Sequence, residues 1–121
     1  SAWAIFCIFF WPIMDTLVAI FRRSLKRSSI NKADSMHFHQ LVMRVIVIYS
    51  GGKISNELAN PLSTVIILPF CILVALLGVL FLEDNFLSLF TTIAATFLFF
   101  GSYYLLIFLV RTKAFRKFKK K

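Results

Sequence analysis

Residues 62–82 and 86–110 carry no charge at all and stand back to back around a three-residue connection, Glu83-Asp84-Asn85. They are 21 and 25 residues long. A hydrocarbon core about 30 Å thick is crossed by roughly 20 helical residues, so each stretch is expected to span a bilayer as a helix. The rest of the composition agrees: 60% of residues are hydrophobic and 16% charged, where globular domains run about half apolar and a quarter charged. Such hydrophobicity excludes a disordered chain, and two cysteines exclude a disulfide scaffold. Residues 1–21 make a third candidate span, interrupted by Asp15. No basic region precedes this run, so a signal peptide is not expected. The chain is expected to be an internal cut from a longer polypeptide.

Charge placement separates the remaining classes. Lys and Arg number 14 against five Asp and Glu, a net charge of +9. Seven of the basic residues lie between Arg22 and Lys53, seven lie in 111–121, and none lies in 83–85. With three spans the long connection and the tail share one side, and the positive-inside rule makes that side the cytoplasm. A nucleic-acid binder needs no such partition, so nucleic acid is not an expected partner, whereas membrane lipid is. For the tail, a topology anchor that also touches anionic lipid is favoured over a specific role.

The expected fold is an all-α membrane protein with three transmembrane helices, the C-terminal portion of a larger polytopic bundle. It divides into a transmembrane helix over 1–21, a basic cytoplasmic loop over 22–60, a span over 61–82, a short external loop over 83–85, a span over 86–110 and a basic cytoplasmic tail over 111–121. Within the loop, Arg22 and Arg23 continue the first helix as snorkelling residues. Asp34 or Ser35 is expected to cap a short helix that Gly51-Gly52 stops. Its sequence, from His37 to Ser50, is too apolar for a free surface helix, so it should pack on other helices or lie in the headgroup layer. Ser55 or Asn60 is expected to cap the next span, with Pro61 in its first turn and a kink at Pro69.

Three residues in this region carry possible chemistry. Asp15 is an ionisable group inside an apolar span, which calls for a named partner; Arg22 lies two turns on along the same face, about 10 Å away and too far for direct pairing unless both side chains reach. The alternative is that Asp15 sits at the cytoplasmic boundary and anchors the helix end. His37 and His39 are the only histidines. A zinc site would need three or four ligands, and Cys7 and Cys71 both lie in apolar spans. One imidazole is enough for proton transfer near neutral pH. Alternatively the pair, with Arg22, Arg23, Lys26, Arg27, Lys32 and Arg44, would favour a phosphate or diphosphate. Two histidines in a polar loop without a role remain a third reading.

The order of these features resembles a known family. Pro12-Ile13-Met14-Asp15, then Arg22-Arg23, then Asp34-Ser35-Met36-His37-Phe38-His39-Gln40 is similar to the C-terminal part of the bacterial polyprenyl-phosphate N-acetylhexosamine-1-phosphate transferases. The nearest type is the undecaprenyl-phosphate GlcNAc-1-phosphate transferases. That family has a Pro-x-x-Asp near the end of a span, paired arginines, an Asp ahead of a His-x-His-His motif, two further spans and a basic tail. The resemblance covers residues 11–121, and its one departure is Gln40 at the place of the last histidine. Gln donates a hydrogen bond but holds no charge and shuttles no proton.

The resemblance implies transfer of N-acetylhexosamine 1-phosphate from a UDP-sugar to undecaprenyl phosphate at the bacterial inner membrane, initiating lipid-linked polysaccharide synthesis. Its implied partners are UDP-N-acetylhexosamine, a polyprenyl phosphate and membrane lipid, with homo-oligomer formation left open. Carried over by position, His37 and His39 would meet the donor's diphosphate or sugar side. Arg23 and Arg22 would add fixed charge, Asp34 would orient the motif, and Gln40 would supply a donor. The implied Mg²⁺ would be held by aspartate-rich motifs elsewhere in the longer chain, so these residues alone are expected to be inactive. The alternative is a small non-enzymatic three-span membrane protein whose polybasic segments bind lipid or a partner.

Overall fold

A computed structural model describes residues 1–26 and 37–119. Among the described residues the protein is all-helical: α1 (Ala2–Ile8), α2 (Phe10–Lys26), α3 (Phe38–Tyr49), α4 (Asn56–Leu80) and α5 (Asn85–Lys119). Two of these helices, α4 and α5, are long and apolar enough to cross a membrane, and α1 with α2 would make a third crossing if the pair is one broken span.

The hairpin of α4 and α5 is set by local chemistry. The Ser55 hydroxyl accepts from the Leu58 N–H at 3.3 Å and starts α4, as its sequence position suggests. Because this cap lies well ahead of Pro61, the proline falls inside the helix rather than in its first turn. At the far end Asp84 Oδ1 accepts from the N–H groups of Phe86 and Leu87, both at 3.0 Å, and so satisfies two donors that α5 would otherwise leave open. Hydroxyls within the apolar stretch are satisfied along the helix itself: Thr91, Thr92 and Thr96 each donate to the carbonyl four residues back. Large apolar side chains such as Leu76, Phe86, Phe97 and Phe108 remain exposed on the outer faces, as lipid contact requires.

The helix expected over 1–21 is two helices. Its axis turns by 83° between Ala2–Ile8 and Phe10–Leu25. Pro12 explains the break, because it has no N–H to give the Ile8 carbonyl and its ring clashes with that group in a continuous helix. The short α1 lies against both long helices near the 81–84 turn. Ala4 and Cys7 are buried there, and a Cβ built on Gly78 would stand 2.8 Å from Cys7 Cβ and 2.9 Å from the Ala4 carbonyl. Close backbone approach through small residues is the packing that apolar surroundings favour, since lipid leaves no hydrophobic drive between helices. Cys7 Sγ also lies 3.1 Å from Thr92 Oγ1.

An aromatic hub joins the elements at the bend. Phe10 and Trp11, just past the break, meet Phe70 of α4 and Phe99 of α5 edge-on, and Trp11 meets Phe38 of α3 at 4.6 Å between ring centres. Phe99 is 1% exposed and also stacks on Tyr103. From Phe38 beside Phe99 to Tyr49 under the Lys113 ammonium, α3 runs alongside the middle of α5 up to its first basic residues. Its apolar sequence is thus accounted for by packing on the other helices, one of the two expected placements. Gly51 and Gly52 stop α3 with φ of 68° and 81°, and their N–H groups donate to the carbonyls of Ile48 and Val47 at 3.2 Å.

Candidate functional site

Four residues beyond Trp11, Asp15 faces the start of α3. Its Oδ2 lies 3.1 Å from His37 Nδ1, and its Oδ1 accepts from the Phe38 N–H at 3.3 Å. One carboxylate therefore holds both the imidazole and the backbone beside it. His37 is the N-cap residue of α3, with extended backbone and no capping bond from its own side chain. Asp15 supplies from another helix the acceptor that a cap residue normally supplies itself. The partner that Asp15 requires is thus His37. Their side chains are 35% and 25% exposed for His37 and Asp15 respectively.

The second histidine turns to a different helix. His39 Nε2 lies 2.7 Å from Asn60 Oδ1, and His39 Nδ1 lies 3.1 Å from the Ser63 hydroxyl. Ser63 is fully buried and also donates to the Asn60 carbonyl at 2.6 Å, so its hydroxyl stands between the ring and the backbone of α4. His37 and His39, two apart in sequence, are engaged by α2 and α4 respectively. One ring therefore stands at a half-buried carboxylate and the other in a hydrogen-bonded clamp between α3 and α4.

The other candidates divide in the same way. Arg22 is half-buried and donates to the hydroxyl of Tyr103, itself 4% exposed, which ties α2 to α5. Arg23 on α2 and Gln40 in the first turn of α3 are half-buried as well. Asp34, together with Ser35, Arg27 and Lys32, lies outside the described residues. Phe99 and Tyr103 stand 12 and 8 residues before Arg111, about 12 to 18 Å along α5 from its first basic residue. The start of α3 and its Asp15 contact are therefore recessed beside the apolar stretch. Next to them, a cleft of about 330 Å³ opens between α3, α4 and α5, lined by Phe38, Val42, Ile46, Ile67 and Phe70 among other apolar side chains.

The sequence did not single out Asn60, Ser63 or Tyr103 for this site. Each is an ordinary polar residue in or near an apolar helix, and only the packing of α3 on α4 and the contact of α2 with α5 bring them to His39 and Arg22. No group of three or more His, Cys, Asp and Glu stands together among the described residues. Compared with known family models, curated proteins and solved structures, the chain matches none.

Proposed function

We propose that this chain is a section of an integral-membrane transferase that moves N-acetylhexosamine 1-phosphate from a UDP-sugar to undecaprenyl phosphate and releases UMP. In this reading residues 22–60 and the tail face the cytoplasm of a bacterium and the product starts a lipid-linked envelope polysaccharide. One observation carries it: the two motif portions of the resemblance meet, the Asp of Pro-x-x-Asp lying 3.1 Å from the first His of His-x-His. A contact across 22 residues of sequence between motif positions is what a shared site needs.

The chemistry follows from the charges involved. An oxygen of the acceptor phosphate attacks the β-phosphorus of the UDP-sugar, the bond to the bridging oxygen breaks, and UMP leaves with the electron pair. Catalysis is then mostly alignment and neutralisation of charge on phosphoryl oxygens. His37 and Arg23, beside Asp15 and on α2, would meet the diphosphate, and Arg22 would add charge from its place on Tyr103. The apolar cleft next to His37 suits a prenyl chain. The Mg²⁺ implied by the resemblance finds no ligand set among the described residues, and both oxygens of Asp15 are already used by His37 and Phe38. No step is therefore drawn through a metal on these residues.

The complete reading frame expressed in membranes should release UMP from UDP-N-acetylhexosamine only when undecaprenyl phosphate is present. His37→Ala should lower that rate by about 100-fold. An unchanged rate and unchanged UDP-sugar affinity in that variant would count against the role of His37. The second reading, a three-span protein without chemistry, draws support from His39, whose ring is committed to Asn60 and Ser63. It requires that no UDP-sugar yields UMP.

A further inference from the structure

Asp15 does more at the start of α3 than a cap requires. A cap needs one acceptor for a backbone N–H, which Oδ1 provides to Phe38; the second oxygen is spent on the ring of His37. The carboxylate is carried by a helix that a second contact locks to α3, since Trp11, one turn before Asp15, packs edge-on against Phe38. The imidazole is thus held by a fixed acceptor on a braced element, while 35% of the His37 side chain stays open. A carboxylate against one ring nitrogen selects the tautomer protonated there and leaves the other nitrogen as an acceptor.

We propose that Asp15 is a positioning residue: it keeps His37 in the Nδ1–H form and aims the Nε2 edge at the phosphoryl group of the substrate. The direction of aim rests on the transferase reading; the tautomer does not. Asp15→Asn separates this role from capping. The amide oxygen can still accept from Phe38 N–H, but the amide NH₂ facing Nδ1 donates, which favours the opposite tautomer.

The test uses the full-length protein in lipid nanodiscs with ¹⁵N-labelled histidine, the His37 signal being identified by its loss in His37→Gln. In the parent the ring should show the Nδ1–H pattern, and in Asp15→Asn it should move toward Nε2–H. UMP-release kinetics should show kcat falling about tenfold or more while KM for the UDP-sugar stays within about twofold. Asp15→Glu should restore part of the loss, and adding Asp15→Asn to His37→Gln should cost little further. An unchanged tautomer in Asp15→Asn overturns the proposal, and so does a kcat loss of the same size with and without His37. A parent that releases no UMP would end the transferase reading, and the tautomer measurement would still decide whether Asp15 governs the ring.

Discussion

Around Gly78, α1 meets α4 so closely that a single added carbon would overlap Cys7 and the Ala4 carbonyl. On the other side of the aromatic hub, α3 meets α2 and α4 through Asp15, His37, His39 and Asn60, which keep some exposure, and the buried Ser63, all tied by hydrogen bonds. The two regions are joined by the same helices but held on different terms. Small residues give contact area without polar groups to satisfy, and such an interface is rigid and chemically silent. Polar side chains hold position with fewer contacts and keep atoms available to a ligand. A protein that needs both a stable bundle and a reactive surface can place them at opposite ends of one broken helix, and the break at Pro12 is what separates them.

The hub that joins the regions is where that comparison is easiest to break. Phe99→Ala removes the ring that Phe10, Trp11, Phe38 and Tyr103 all touch. It should cost about 3 kcal/mol or more, lowering the unfolding temperature in detergent and activity together. Loss of activity alone, with stability intact, would mean the hub serves only the α3 side. Gly78→Leu tests the tightly packed end. It should cost about 1 to 3 kcal/mol by overpacking and appear as easier protease cleavage near residues 1–9, while the His37 tautomer stays as in the parent. A tautomer change in that variant would show that the two ends are coupled through α1.

The smallest effect is expected at the clamp. Ser63→Ala removes the hydroxyl that links His39 to the Asn60 carbonyl and should cost about 1 kcal/mol. Hydrogen exchange at the first turn of α3 is the suitable measurement, because global unfolding would dilute so local a change. If Ser63→Ala instead changes UDP-sugar KM strongly with no change in exchange, His39 belongs to the binding surface and not to the clamp.

Much of the architecture was legible before any packing was known. Charge-free stretches of 21 and 25 residues leave helices as the economical solution in a bilayer, because every backbone polar group must find its partner within the segment. The stop at Gly51-Gly52 was equally visible, and the start of α4 was narrowed to Ser55 or Asn60, since each depends on a residue and its immediate neighbours. The division of 1–21 into two helices was not, although Pro12 stood in plain view. A proline near a helix start can be tolerated or can break the chain, and the contacts of Phe10 and Trp11 with Phe70 and Phe99 decide which.

The candidate site shows the same boundary more sharply. A lone acid in an apolar run and two histidines near a helix start are sequence facts, and they mark Asp15, His37 and His39 as residues with something to do. Spacing placed Arg22 two turns from Asp15, too far for direct pairing unless both side chains reach, and left a common anion for the two rings as one reading among several. The fold pairs Asp15 with His37 across 22 positions and commits His39 to Asn60 and Ser63. Local sequence determines which segments become helices, because those forces act within a few residues of backbone. Which polar groups meet depends on how the helices cross, and at Asp15 the 83° turn between α1 and α2 and the packing of α3 along α5 made that choice.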